Sequence, residues 1–268
     1  MTNSRASLGL AAVVILAGAI LDYVLIGRDQ PQAGAAWLVT MLAMLAAIGG
    51  IGYAINGRVC GIVIDNRNRY SLSKLQMVGW TVLILSSLMV AGFVNVTLAG
   101  FAVALDIGVD QNLWALMGIS TASFVAQPIL LGMKTGKQAH EGEMRKAKVQ
   151  LQQSKDENAE NVSAVGQVLK RDQPSQATVL DLFQGDEVGN AGVVDISKVQ
   201  QFFVSLFLLG AYGVGLWDMF VSTENGITRL PDLSNGFVYL LAISHGGYLI
   251  YKGTSHTKDA GSGDKPQS

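Results

Sequence analysis

Apolar residues fall in six long runs, about Leu8–Ile26, Ala35–Ile55, Leu75–Val96, Leu113–Met133, Val199–Val221 and Gly236–Tyr251. A helix needs about 20 apolar residues to cross the hydrocarbon core of a bilayer. Backbone groups in lipid must bond within their own segment, so each run is predicted to be a helix. The first run, behind Arg5, also fits a signal peptide. It exceeds the usual apolar core of about 7–15 residues, and Leu-Asp-Tyr-Val-Leu is a poor cleavage site, so a retained helix is expected.

The polar breaks divide the chain. Residues 1–56 read as an N-terminal transmembrane hairpin with a short turn at Gly27–Gln32. Residues 57–133 read as a second hairpin entered through a basic linker, and 199–252 as a third. Between them, 134–198 is a partly helical cytoplasmic segment. Its stretch 147–171 is predicted helical from its Gln, Lys, Glu and Ala content. Val179-Leu180-Asp181-Leu182-Phe183 is a short apolar patch that docks under the bundle or onto a partner. Gly185-Asp186-Glu187-Val188-Gly189-Asn190 reads as a turn-rich acidic loop. Residues 253–268, rich in Gly, Ser, Lys and Asp, read as a disordered tail.

Two landmarks recur at one offset. Ser73-Lys74-Leu75-Gln76 opens the third run, and Ser197-Lys198-Val199-Gln200 opens the fifth 124 residues later; Ile119-Ser120 and Ile243-Ser244 keep the same spacing. This predicts a duplicated hairpin. Both copies start and finish on one side of the membrane, so the repeats are parallel, unlike the inverted repeats of many transporters. A fainter echo pairs Ile48, Gly52, Tyr53 and Ile55 with Ile243, Gly247, Tyr248 and Ile250, leaving open whether the first hairpin is a third copy. Ser followed three residues later by Gln is a capping-box pattern. It assigns Ser73, Lys74, Gln76, Ser197, Lys198 and Gln200 to helix starts at the membrane interface, with both lysines snorkelling to the headgroups.

Composition sharpens this picture. Half of the 268 residues are apolar and only 15% are charged, against about 25% in soluble domains. The net charge of -1 conceals an asymmetry. On alternating sides of six spans, 17 Lys and Arg fall on the side of the termini, the linker and the polar segment; only Arg28 and Arg229 fall opposite. Cytoplasmic loops are rich in these residues, so both termini are expected in the cytoplasm. Asp29, Asp106, Asp110, Asp218, Glu224 and Asp232 make the other side mildly acidic. Cys60 is the lone cysteine, so the fold does not rely on an internal disulfide.

Ionisable residues inside spans are functional candidates by default. His245 lies near the middle of the sixth run, flanked by Ser244, Gly246 and Gly247. With Ser120, Thr121, Ser123 and Ser244 it forms a candidate intramembrane polar layer. The layer is either a relay or gate, or an interhelical hydrogen bond that holds the bundle. Asp22 lies towards the end of the first run and is expected to reach the interface. Gly49, Gly50 and Gly52, with Gly210, Gly213 and Gly215, are expected at close helix contacts. Arg67 and Arg69, with Lys74, are candidate ligands for anionic lipid headgroups. Asp65 to Tyr70 is not a calcium loop, because arginines replace the oxygen ligands. His140-Glu141-Gly142-Glu143-Met144 lacks the second His of a zinc protease site. Gly132-Met133-Lys134-Thr135-Gly136-Lys137-Gln138 is one residue short of a phosphate loop. No metal site, cofactor, nucleic-acid partner or enzymatic activity is expected.

The strings Asn66-Arg67-Asn68-Arg69-Tyr70-Ser71-Leu72-Ser73-Lys74-Leu75-Gln76, Gly185-Asp186-Glu187-Val188-Gly189-Asn190 and Ile243-Ser244-His245-Gly246-Gly247-Tyr248-Leu249 together resemble a group of uncharacterised bacterial multi-pass inner-membrane proteins. The resemblance covers about residues 60–252 and implies a bacterial inner membrane, with no mechanism. The expected fold is an all-α membrane protein with six transmembrane helices, two parallel-repeat helical hairpins and a cytoplasmic segment. Two functions fit. One is a non-enzymatic anchor or scaffold in the lipid bilayer that presents residues 134–198 to a cytoplasmic protein partner. The other is an oligomeric channel or small transporter, a homo-oligomer using the polar layer near His245.

Overall fold

A computed structural model of the chain describes residues 2–27 and 32–260, with side chains from Ala6 onward. The turn expected at 27–32, with Arg28 and Asp29, lies almost wholly outside the described residues, as does the tail beyond residue 260. Seven α-helices and one β-hairpin are present among the described residues. They are α1 (Thr2–Ile26), α2 (Ala33–Asn56), α3 (Leu72–Leu98), α4 (Gln111–Thr135), α5 (Glu141–Gln153), β1 (Val162–Val165), β2 (Val168–Arg171), α6 (Ile196–Val221) and α7 (Asn235–Gly253). Helices α1, α2, α3, α4 and α6 are long and apolar enough to cross a membrane. Exposed side chains such as Leu10, Leu16, Ile20, Leu42 and Phe203 suit lipid; water-facing apolar patches of this extent are rare. Helix α7 coincides with the sixth run but is not among those five. His245, Lys252 and its glycines lower its hydropathy.

The chain divides into two compact units. The first comprises Met1–Ile62, Gln76–Ile119 and Val204–Ala242. Its core is apolar: Trp37, Trp80, Leu83, Ile84, Val94, Leu113, Leu216 and Phe220 are all buried. Trp37 stacks on Phe220 at 5.6 Å between ring centroids, and its indole donates to Ser86 Oγ. Polar side chains serve the ends of helices. Asn95 donates to the Ile227 carbonyl and accepts from the Ile227 N–H, pinning the chain after α6 to α3. Asp110 accepts from the N–H groups of Asn112 and Leu233. One acidic residue expected at the exterior is thus a structural cap. Asp22 does not reach the interface. It is fully buried and accepts from the Thr40 hydroxyl. Of the marked glycines, a Cβ on Gly52 would lie 2.8 Å from Val59 O and Ile62 N, so the backbone there needs glycine. Gly210 meets nothing within 4 Å and marks no close contact.

The second unit comprises Val63–Leu75, Ser120–Phe203 and the described part of Ile243–Ser268. Helix α5 buries Glu143, Ala147 and Leu151 on one face. Ala147 and Leu151 pack with Val162, Leu169, Val188 and Ala191 in a small apolar core. The stretch 147–171 is not one helix. Helix α5 ends at Gln153, and 162–171 forms an antiparallel hairpin with Val165 opposite Val168. Gly166 turns it with a positive φ of 63°. Its missing Cβ admits the Thr135 carbonyl, which a real Cβ would meet at 2.4 Å. Residues 254–260, expected in a disordered tail, hydrogen-bond into the unit. The Thr254 carbonyl accepts from Lys134, the Thr257 hydroxyl accepts from the Gly189 N–H, and Ala260 donates to the Gln138 carbonyl.

Candidate functional site

The helix starts correct the capping assignment. Helix α3 begins at Leu72, and the Lys74 N–H points at Ser71 Oγ at 3.4 Å. Helix α6 begins at Ile196, and the Lys198 N–H donates to Asp195 Oδ1 at 3.2 Å. Each cap therefore sits two residues before the expected serine, at Ser71 and Asp195. Ser73 is buried inside its helix, and Gln76 donates to Ser205 Oγ at 2.8 Å instead of reaching back to a cap. Ser197 donates to Asp195, and Gln200 is exposed. Lys198 does not snorkel to a headgroup, and Lys74 is anchored to the protein by one of its protons. Lys74 Nζ donates to the Ile64 carbonyl, and Lys198 is buried.

Lys198 belongs to an ion network that fills the second unit. Asp186 lies at its centre, with Lys252 Nζ at 2.5 Å, Lys198 Nζ at 2.9 Å, Arg67 Nη1 at 3.0 Å and Arg69 Nη1 at 3.5 Å. Asp181 faces Arg171 at 2.8 Å and Arg69 at 3.0 Å, and Asp156 faces Arg171 at 2.5 Å. Asp195 takes the other side of Lys252 at 2.7 Å, and Glu187 pairs with Lys134 at 2.6 Å. Asp65 holds Arg67 from below, through Nε at 2.8 Å. All of these except Asp65 are buried. Backbone groups complete the shell: Lys198 donates to the carbonyls of Asp181 and Gln184, and Arg69 to that of Gly185.

Removing a charge from water costs several kcal/mol unless it is paired and hydrogen-bonded, so the density of partners here is a requirement. Burial alone would raise the Asp186 carboxyl. The cations of Lys198, Lys252, Arg67 and Arg69 outweigh that and hold it well below the usual carboxylate range. Asp181 is likewise lowered, against its own burial, by Arg69 and Arg171 and by the Thr178 N–H. Both therefore stay ionised at neutral pH. Arg67 and Arg69 are committed to these carboxylates, which overturns their assignment to lipid headgroups. The Asn-Arg-Asn-Arg and Gly-Asp-Glu strings are both conspicuous in the sequence, but their pairing with each other is visible only in the fold.

The polar layer is only partly assembled. His245 and Ser123 are buried and in contact, with Nδ1 at 2.6 Å from Ser123 Oγ. Gln201 Nε2, a residue the sequence reading missed, approaches the same nitrogen at 3.4 Å. Nε2 has no partner among the described residues. Ser120 and Ser244 are buried, each with an unpartnered hydroxyl, whereas Thr121 is exposed and lies outside the layer. Tyr248 and Lys252 continue the buried file one and two turns along α7, and the Lys252 ammonium lies 5.4 Å from the Tyr248 ring centroid.

Five spanning-length apolar helices, with a folded polar unit on the same chain, define a multi-pass membrane protein of helical type. Compared with known proteins, the chain matches no family model, no curated protein and no solved structure.

Proposed function

We propose that this chain is a non-enzymatic membrane anchor, in which helices in a bacterial inner membrane hold a rigid polar platform on the cytoplasmic side for a protein partner. In this reading α7 is a sixth span and both termini are cytoplasmic. The Asp186 network supports it most directly. Arg67, Arg69, Lys198 and Lys252 come from three separate stretches of chain and converge on one carboxylate of the polar segment. That is the construction expected of a segment whose position matters. The platform also exposes apolar side chains on neighbouring segments. Val179 and Leu180 precede Phe183, whose carbonyl accepts from Asp195, and Val193 and Val194 lie just before that residue. Exposed apolar clusters of this kind mark interaction surfaces. The test compares full-length protein with Val179→Glu/Leu180→Glu after mild crosslinking in native membranes. A stoichiometric protein adduct that disappears in the variant, at unchanged thermal stability, supports the anchor. Identical adduct patterns overturn it.

A second reading is transport of protons along α7, favoured by the buried file His245, Tyr248 and Lys252 with its unpartnered imidazole Nε2. Purified protein in liposomes would then dissipate a pH gradient, and His245→Ala would abolish the flux. Tight liposomes with wild-type protein eliminate this reading.

A further inference from the structure

A cavity of about 370 Å³ lies in the second unit, between the start of α3, the last turns of α4 and the hairpin. That size falls within the usual range of ligand pockets, about 300–1,000 Å³. Its wall is divided by chemistry. Phe124, Pro128 and Leu131 of α4 form an apolar side, while Lys74, Lys170 and Gln127 supply donors. Neither lysine faces a carboxylate among the described residues. Lys74 Nζ spends one of its three protons on the Ile64 carbonyl, and Lys170 is half-buried on β2. Asp65, the acidic group in the wall, is already saturated. Its Oδ1 accepts from the Arg67 N–H and its Oδ2 from the Arg67 guanidinium. Gln127 is 5% exposed. Its Oε1 accepts from the Ser71 hydroxyl, which leaves its amide nitrogen as a donor with no partner among the described residues.

The apolar side continues outward. Pro128 is exposed, so the cavity opens along α4. Val125, Ile129 and Met133 are exposed on the same stretch of that helix, a helix of membrane-spanning length. A ligand entering there slides from an apolar face towards two unpaired ammonium groups and an amide donor. We propose that the cavity binds an anionic bilayer lipid, with its phosphate headgroup at Lys74, Lys170 and Gln127 and the start of an acyl chain against Phe124, Pro128 and Leu131. Phosphate suits the site because ammonium and amide donors converge from separate elements, and the acyl wall distinguishes a lipid from a soluble phosphate. The inference rests on the membrane placement of α4 and is independent of any protein partner.

The test is native mass spectrometry of the full-length, delipidated protein in detergent, titrated with phosphatidylglycerol, with phosphatidylcholine of the same chains, and with glycerol phosphate. The site requires phosphatidylglycerol to bind at least about tenfold more tightly than either. Lys74→Gln/Lys170→Gln should erase the preference over phosphatidylcholine. Gln127→Glu should reduce phosphatidylglycerol binding by a similar factor, because it sets a carboxylate in the cavity while still accepting from Ser71; it decides alone if the double variant does not fold. Equal binding of the two lipids, a preference unaffected by the substitutions, or glycerol phosphate binding as tightly as the lipid each overturns the proposal.

Discussion

The two units solve the burial of polar groups in opposite ways. The first surrounds Trp37, Trp80, Leu83 and Phe220 with other apolar side chains, and uses Asn95 and Asp110 to pair with backbone N–H and C=O groups near helix ends. The second carries Asp156, Asp181, Asp186, Arg69, Arg171 and Lys198 in its interior, all nearly inaccessible. Apolar packing tolerates exchange between side chains of similar volume. A buried charge tolerates very little, because every lost partner leaves a desolvated ion. The first unit is thus specified by shape, and the second by the matching of named charges.

This contrast can be broken. Asp186→Ala removes a carboxylate shared by four cations, leaving Lys198 with no carboxylate among the described residues, and is expected to destabilise the second unit by about 3–5 kcal/mol, the cost of breaking a buried pair. Hydrogen exchange should rise in peptides covering 180–190 and stay unchanged in those covering 80–94; a uniform rise would erase the distinction. Acid approaches the same loss by titration. Asp181 and Asp186 have lower folded pKa values than unfolded ones. Their contribution is present above the ordinary carboxylate pKa of about 3.9 and disappears as pH falls through the lowered folded values. Protection in 180–190, taken relative to the intrinsic exchange rate at each pH, should therefore be constant near neutrality and be lost only well below pH 4. Arg69→Lys keeps the charge but loses the fork that reaches Asp181, Asp186 and the Gly185 carbonyl. It should cost about 1–3 kcal/mol, as for a buried acceptor left unpaired. Leu83→Met in the first unit should cost less than about 1.5 kcal/mol. Smallest is the cap: Ser71→Ala should cost about 1 kcal/mol, measured by thermal unfolding in detergent, and more than exchange of the expected cap, Ser197→Ala.

Helix positions were legible in the sequence because a bilayer imposes one length and one composition on everything that crosses it. The six apolar runs coincide with α1, α2, α3, α4, α6 and α7. Cap positions were not, because Ser71 and Ser73 stand two residues apart and the pattern Ser-x-x-Gln favoured the wrong one. The hairpin was written in Val162-Ser163-Ala164-Val165-Gly166-Gln167-Val168-Leu169, alternation around a glycine, but the surrounding Gln, Lys and Glu content outweighed it. Least legible was the network. Arg69 and Asp181 are 112 residues apart, and a sequence shows which charges exist without showing which of them meet. His245 and Ser123, 122 residues apart, came into view only because intramembrane polar residues are scarce.

Lys252 adds a matter of timing. Its ammonium holds Asp195, which precedes it by 57 residues. At synthesis rates of about 5–20 residues per second, that separation means a wait of roughly 3–11 s. Until Lys252 emerges, the Asp195 carboxylate at the head of α6 lacks that ammonium partner, and the second unit cannot complete its charge matching.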